Sequence, residues 1–219
     1  MRDYEYVPRS EWKPVRKEIL AIIREVQNLL KDRFTFSFAF IGSSHRGMIT
    51  REVKGNRGYD FDVDIRVNDD EEDYSAGQLK HILHEALRQV SMNHGYSTCE
   101  DSSSVITMKM VDVSDSRIEH SCDFAIVNNY SDRNGKKHQQ FVFFDKKTGE
   151  YVWRERSKEY CDQRRKEIEI KQAGMWNEVR DVYREKKKRF SDWKKSRALY
   201  AETINEVYIR LKNSAPDSE

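Results

Sequence analysis

One segment of the sequence, Tyr59 to Val67, constrains the fold more than any other. Apolar and charged side chains alternate along it, which is the period-two pattern of a β-strand with two unlike faces. The apolar face carries Phe61, Val63, Ile65 and Val67, and the polar face carries Asp60, Asp62, Asp64 and Arg66. We therefore predict a strand that buries one face and presents three carboxylates on the other.

The three aspartates of this strand repel one another. Neighbouring carboxylates on one face lie about 6 to 7 Å apart, and like charges at that spacing destabilise a sheet. A divalent cation would relieve the repulsion, because it prefers hard oxygen ligands and can share them with phosphate groups. The alternative is a solvated edge strand with Arg66 giving partial relief, since charged edges also prevent aggregation.

The segments before this strand end in a turn that can bind phosphate. Apolar residues recur at three- and four-residue steps from Trp12 to about Asp32, which predicts an amphipathic helix. Phe34 to Phe40 then alternates like a strand, and that strand ends at Gly42 and Ser43. Exposed backbone amides and a hydroxyl at such a turn can hold phosphate oxygens.

A further aspartate, Asp123, lies within the otherwise apolar strand Cys122 to Val127. A carboxylate in a buried strand is unfavourable unless a partner or a metal ion compensates for its charge. Asp123 is therefore a second candidate for cation binding.

The remaining periodicities predict an α+β fold. In order, they indicate a helix over about Ser75 to Asn93, strands over Val105 to Val113 and Ile118 to Val127, a hairpin of Gln139 to Phe144 with Tyr151 to Trp153, and charged helices over Cys161 to Arg189 and Asp192 to Lys212. This order is neither a regular βαβ alternation nor all-α or all-β. We predict a mixed β-sheet with helices packed on it in a core of residues 1–154, followed by a C-terminal helical lobe, residues 155–219, packed on that core.

The composition limits the classes of protein that the chain can represent. Its 219 residues include 40 Lys and Arg and 38 Asp and Glu, so the net charge is only +2 although 36% of the residues are charged. The apolar content excludes a disordered polyelectrolyte, and the balance excludes binding of nucleic acid through net charge, so attraction to phosphate must be local. With no apolar run of about 18 residues and no signal sequence, we expect a cytoplasmic protein without membrane contact, with Cys99, Cys122 and Cys161 reduced.

Three of these features, taken in order, resemble a known signature. Gly42-Ser43, the acidic strand Asp-Phe-Asp-Val-Asp-Ile that begins at Asp60, and the lone Asp123 on a later strand are similar to the catalytic motif of the polymerase-β-like nucleotidyltransferase superfamily. The long helix before the Gly-Ser strand is most similar to the branch of oligoadenylate synthases, cyclic GMP-AMP synthase and their bacterial relatives. The resemblance covers Val15 to Val127, and beyond that only the helical character of the tail.

The resemblance implies Mg²⁺-dependent nucleotidyl transfer. Two Mg²⁺ or Mn²⁺ ions would be held by an acidic pair together with Asp123, and a nucleoside monophosphate would pass from an NTP to a hydroxyl with release of pyrophosphate. The strand offers the acidic pair twice, as Asp60 with Asp62 or as Asp62 with Asp64. We favour Asp60, Asp62 and Asp123 as the catalytic residues, with Asp64 as a neighbouring group that completes the predicted metal site.

The resemblance also implies residues that bind the triphosphate. Gly42, Ser43 and Ser44 would hold phosphate oxygens from the end of the Gly-Ser strand, and Lys187 and Ser196 would reach the triphosphate from the C-terminal helices. The alternative for the basic residues around Lys187 is a charged helix end, which the helix dipole favours.

The acceptor and a rival class of function stay open at this point. The acceptor could be a second nucleotide, an RNA 3′ end, a small molecule or a protein side chain. The alternative to an enzyme is a non-catalytic nucleotide- or RNA-binding module with the same fold, or an antitoxin-like partner protein that uses the basic helices.

Overall fold

The computed structural model of the chain describes residues 2–69, 73–156 and 160–214, and only the backbone of residues 160–162. Within this part of the chain there are nine strands and six helices. The strands are β1 (Tyr4–Tyr6), β2 (Thr35–Ile41), β3 (Thr50–Glu52), β4 (Arg57–Asn68), β5 (Thr98–Asp101), β6 (Ile106–Asp112), β7 (Arg117–Ser131), β8 (Lys137–Asp145) and β9 (Glu150–Glu155). The helices are α1 (Arg9–Leu30), α2 (Gly42–Arg46), α3 (Ala76–Asn93), α4 (Tyr160–Gln172), α5 (Trp176–Phe190) and α6 (Ser196–Ser214). The predicted α+β class is confirmed.

A seven-stranded mixed sheet forms the centre of the fold. Five strands lie side by side in the order β2-β4-β7-β6-β5, and β8 pairs with β7 and carries β9 on its other edge. β4 and β7 run parallel, whereas the other neighbouring pairs of this sheet run antiparallel. β1 and β3 form a separate two-stranded sheet.

The apolar face of β4 fixes the orientation of the acidic strand. Phe61, Val63 and Ile65 are fully buried and belong to one hydrophobic cluster with the apolar faces of α1 and α3. The helix residues of that cluster include Ile19, Ile22, Val26, Leu79, Leu83 and Leu87. Burying a side chain of this size contributes roughly 1.5 to 3 kcal/mol, so the strand faces the helices with its apolar side and turns its aspartates to the opposite face of the sheet.

The chain divides into two compact units. One comprises Tyr6–Arg51 with Gly55–Arg156 and contains the seven-stranded sheet with α1, α2 and α3. The other comprises Met1–Glu5, Glu52–Lys54 and Ser157–Glu219, and its described part contains α4, α5 and α6. These three helices bury Ile170, Val179, Leu199, Ile204 and Val207. The predicted domain boundary after residue 154 stays a prediction.

Several local features differ from the sequence prediction. The single helix predicted over Cys161 to Arg189 is two helices, α4 and α5, because Gly174 adopts φ +73° and ends the first of them. The last helix begins at Ser196 rather than at Asp192. The predicted turn after β2 is the short helix α2, and β5 has no counterpart among the predicted strands.

The helix α3 begins where its sequence predicts. Ser75 precedes it, accepts a hydrogen bond from the Gln78 amide at 3.3 Å, and donates its own amide to Gln78 Oε1 at 2.8 Å. This reciprocal pair is a capping box, which satisfies backbone donors that would otherwise lack partners. None of the six described helices has the length and apolar character that a membrane span requires.

Candidate active site

Two neighbouring strands carry the candidate carboxylates side by side. β4 and β7 pair in parallel, and their register places Asp62 directly beside Asp123. On the other side of β4, Ile41 at the end of β2 lies beside Asp62. Asp60 precedes Asp62 by two residues and therefore lies on the same face. The sheet thus brings Asp60, Asp62 and Asp123 to one patch on the face opposite to α1 and α3.

Asp62 is the most strongly perturbed carboxylate of the patch. Burial raises its pKa to about 7, and the negative charges of Asp60 and Asp123 add to that rise, while Arg46 opposes it. A carboxylate with such a pKa is incompletely ionised near neutral pH unless a positive charge is brought to it. The surroundings of Asp62 therefore favour the binding of a cation.

Asp123 is held in place by a hydroxyl from the next strand. Thr107 on β6 pairs with Asp123 in the β6–β7 register, and its Oγ1 donates to Asp123 Oδ1 at 2.6 Å. Burial raises the pKa of Asp123, and the Thr107 hydrogen bond opposes that rise. The bond leaves Oδ2 of Asp123 available and fixes the direction in which the carboxylate points.

Asp64 differs from the other aspartates of the patch because an arginine binds both of its carboxylate oxygens. Both of its carboxylate oxygens accept hydrogen bonds from Arg156, Oδ2 from Nη1 at 2.8 Å and Oδ1 from Nη2 at 2.9 Å. Asp64 is only 8% exposed, whereas Asp60 is exposed to solvent. Of the two acidic pairs that the sequence allows, Asp62 with Asp64 is the one in which Arg156 binds both oxygens of a carboxylate.

Gly42 lies against the Asp62 carboxylate. Its φ is +63°, a left-handed conformation that favours glycine. A methyl group on its Cα would overlap Oδ2 of Asp62 and lie 2.9 Å from Cγ of the same residue. The sequence predicts Gly42 as a phosphate-binding residue; the structure gives it a further role, which is to leave room for Asp62.

The two serines after Gly42 have different surroundings. Ser44 is buried and donates its hydroxyl to the Ile41 carbonyl at 3.0 Å, so it holds the end of β2 to α2. Ser43 is half-buried, and its carbonyl accepts the Met48 amide at 2.9 Å. Phosphate binding by Gly42, Ser43 and Ser44 stays a prediction.

Lys187 and Ser196 lie in the other compact unit. Lys187 is on α5, with Nζ 4.6 Å from the centroid of the Tyr4 ring, and Ser196 is the exposed first residue of α6. Their part in triphosphate binding likewise stays a prediction.

The patch fits a divalent cation by the chemistry of its donors. Asp60, Asp62 and Asp123 supply hard carboxylate oxygens, and the negative charges of Asp60 and Asp123 beside Asp62 favour a positive charge there. Among the residues that the structure describes, no three His, Cys, Asp or Glu side chains already converge as metal ligands.

The sequence did not predict a role for two residues next to these aspartates. Thr107 has no distinguishing feature in the sequence, and only the β6–β7 register shows that it lies beside Asp123. Arg156 lies 92 residues along the chain from Asp64, whose charge it neutralises. The only sequence signal for Arg156 is the third aspartate itself, because a buried carboxylate requires a cationic partner.

No family model matches the sequence, and no curated protein matches it. Solved structures do match the fold, and they are polymerase-β-type nucleotidyltransferases related to cyclic GMP-AMP synthase, as the sequence resemblance predicts. This similarity confirms the predicted α+β fold.

Three of the similar structures are bacterial. The CdnE cyclic dinucleotide synthase of Elizabethkingia meningoseptica, with GTP and Apcpp, is 14% identical with a TM-score of 0.51 and covers 90% of this chain and 76% of its own. The GTP-bound form of Vibrio cholerae DncV is 18% identical with a TM-score of 0.58, and the match covers 92% of this chain and 52% of DncV. The STING-associated CdnE c-di-GMP synthase of Capnocytophaga granulosa is 17% identical with a TM-score of 0.57, and the match covers 98% of this chain and 64% of that synthase. This chain thus spans about half to three quarters of their length.

Proposed function

We propose that the chain is a nucleotidyltransferase that moves a nucleoside monophosphate from an NTP to a hydroxyl acceptor and releases pyrophosphate. The observation that carries this proposal is the juxtaposition of Asp62 and Asp123 on parallel strands, with the Gly42 backbone against the Asp62 carboxylate. It joins the three sequence features of the resemblance in one patch.

Asp60, Asp62 and Asp123 would hold divalent cations, Mg²⁺ or Mn²⁺. Such ions neutralise the triphosphate and lower the pKa of the attacking hydroxyl. Within this arrangement, Thr107 orients the Asp123 carboxylate, and Asp123 would assist as a base towards that hydroxyl.

The triphosphate would be bound by the segment after β2. The Gly42 and Ser43 amides and the Ser43 hydroxyl follow directly on the strand that lies beside Asp62, so they are suited to phosphate oxygens near the metal. From the family resemblance alone, we extend this set to Ser44, Lys187 and Ser196.

We propose a nucleotide as the acceptor. The support comes from the similar structures, which include cyclic dinucleotide synthases and one DncV complex with the linear intermediate pppA(3′,5′)pG. We also propose that the protein acts in the cytoplasm, where NTPs are abundant and where free thiols such as Cys99 and Cys122 stay reduced.

The test is transfer of label from each NTP in turn, with Mg²⁺ or Mn²⁺, followed by separation of the products and measurement of pyrophosphate. We expect nucleotide products and a fall in rate of at least about 100-fold for Asp62→Asn and Asp123→Asn, because each removes a charged carboxylate that would hold the metal ions. Asp115→Asn, at an exposed position in the β6–β7 turn, is the matched control and should react like the wild type. The proposal fails if no NTP gives product or pyrophosphate, or if Asp62→Asn is as active as the wild type.

A further inference from the structure

The ion pair between Asp64 and Arg156 lies next to the proposed metal site. Asp64 follows Asp62 by two residues on the same strand and the same face. The Asp64 side chain is 11% exposed and that of Arg156 is 22% exposed. The two hydrogen bonds between them are parallel and bidentate, the geometry in which an arginine recognises a carboxylate best.

Arg156 is itself held in place by β8. Its backbone amide donates to the Gln139 carbonyl at 2.8 Å, and its Nη1 donates to Gln139 Oε1 at 2.6 Å. The guanidinium is therefore fixed from two sides, by the Gln139 amide group and by Asp64. This support means that the arginine does not follow Asp64 if the carboxylate turns towards a metal.

The position of Asp64 makes this pairing important. A strand that offers acidic residues at 60, 62 and 64 can bind a metal through Asp60 with Asp62 or through Asp62 with Asp64, and these two modes place the ion about 6 to 7 Å apart along the strand. A displacement of that size would move the ion away from Gly42 and from the triphosphate. Something must therefore select one mode.

We propose that Arg156 is a positioning residue that selects the Asp60 and Asp62 mode by occupying both oxygens of Asp64. This inference rests on the proposed function, because it assumes a metal at Asp62. It adds that Asp64, although acidic and adjacent, is not a metal ligand, and that Arg156 is the reason.

The test measures Mn²⁺ affinity by calorimetry without nucleotide, and compares the effect of Asp60→Asn in different backgrounds. In the wild-type background we expect Asp60→Asn to weaken Mn²⁺ binding by about tenfold or more, because a charged ligand is lost. In the Arg156→Gln background, Asp64 is released and replaces Asp60, so the same substitution should weaken binding by less than about threefold. The Asp64→Asn/Arg156→Gln pair is the matched control, and there Asp60→Asn should again weaken binding as in the wild type.

Folding is checked in each variant by its melting temperature. Breaking a largely buried ion pair in Arg156→Gln should lower Tm by roughly 5 to 10 °C, and the neutral double variant should recover part of that loss. Arg156→Lys is the second probe, since a lysine neutralises Asp64 without binding both of its oxygens. In that background, the loss of Mn²⁺ affinity caused by Asp60→Asn should lie between the losses in the wild-type and Arg156→Gln backgrounds. Arg133→Gln, at an exposed position in the β7–β8 turn, should behave as the wild type.

The outcomes separate this inference from the proposed function. If Asp60→Asn weakens Mn²⁺ binding equally with and without Arg156, or if Asp64→Asn alone abolishes binding, Arg156 does not select the ligands and the inference is wrong. If Asp62→Asn leaves Mn²⁺ binding unchanged in every background, the metal site of the proposed function is itself wrong.

Discussion

Replacing Gly42 with alanine tests how closely the backbone and the Asp62 carboxylate must approach. The left-handed φ of +63° makes any non-glycine residue unfavourable there by about 1 to 2 kcal/mol, which corresponds to a fall in Tm of roughly 2 to 8 °C for a chain of this size. The added methyl group also lies 2.9 Å from Asp62 Cγ and overlaps Oδ2. The carboxylate must therefore move by about 1 Å to reach ordinary contact distance, and a shift of that size in a reacting group reduces turnover about 100-fold.

Gly47 provides the matched control for this substitution. Its φ is +66°, almost the same as that of Gly42, but a methyl group added to it meets no atom within 4 Å. We expect Gly47→Ala to lose a similar amount of Tm while keeping most of its NTP turnover, and Gly42→Ala to lose turnover about 100-fold. Equal turnover in the two variants, measured as pyrophosphate release, would show that contact with Asp62 is irrelevant to the activity.

Other predictions concern the hydrogen bond to Asp123 and two titrating groups. Thr107→Val should weaken Mn²⁺ binding by about 10- to 100-fold in calorimetry, because the hydrogen bond to Asp123 is lost. Thr107→Ser keeps the hydroxyl and should bind Mn²⁺ within about threefold of the wild type. Equal Mn²⁺ binding by the two variants would contradict the role of that bond. In the metal-free protein, the pKa of Asp62 is raised to about 7 from an ordinary value near 3.8, so the native state holds the extra proton and the contribution of Asp62 to stability is lost as pH rises from about 4 to 7. The Tm of the wild type relative to Asp62→Asn should therefore fall over that range, and a constant difference would refute the assignment. Burial lowers the pKa of His120 to about 4, and Nε2 of its ring lies 3.1 Å from the Tyr96 hydroxyl. The contribution of the neutral ring to protein stability should therefore be lost as pH falls from about 6.5 towards 4. His120→Gln should flatten that part of the Tm profile, and an equally steep decline in the variant would contradict this prediction.

The fold was predictable where local patterns are strong. The alternation along β4 and the apolar stripe of α1 each follow from a few side chains that must be buried, so their existence and orientation are evident in the sequence. The break between α4 and α5 depends on one glycine in a charged stretch whose periodicity continues across it, and a single glycine inside a helical pattern is often tolerated. The short β5 has few residues and little alternation, so its pairing with β6 is not evident in the sequence.

The candidate site was predictable as a set of residue types but not as a geometry. The acidic strand and Asp123 stand out because carboxylates are rare in strands that are otherwise apolar. Their contact depends on parallel pairing of β4 with β7, which the sequence leaves undetermined because one helix and two further strands lie between these two strands in the chain. For the same reason the sequence leaves the choice between the two acidic pairs open, and the structure distinguishes them through Arg156.

The most direct test of the proposed function is a crystal structure of the protein with Mn²⁺ and a non-hydrolysable NTP analogue, with the ions located by anomalous scattering. We predict Mn²⁺ within about 2.3 Å of carboxylate oxygens of Asp60, Asp62 and Asp123, with triphosphate oxygens completing the coordination and the Asp64–Arg156 pair intact. An NTP analogue bound without metal at these three aspartates, or Mn²⁺ held by Asp64 with Arg156 displaced, would contradict it.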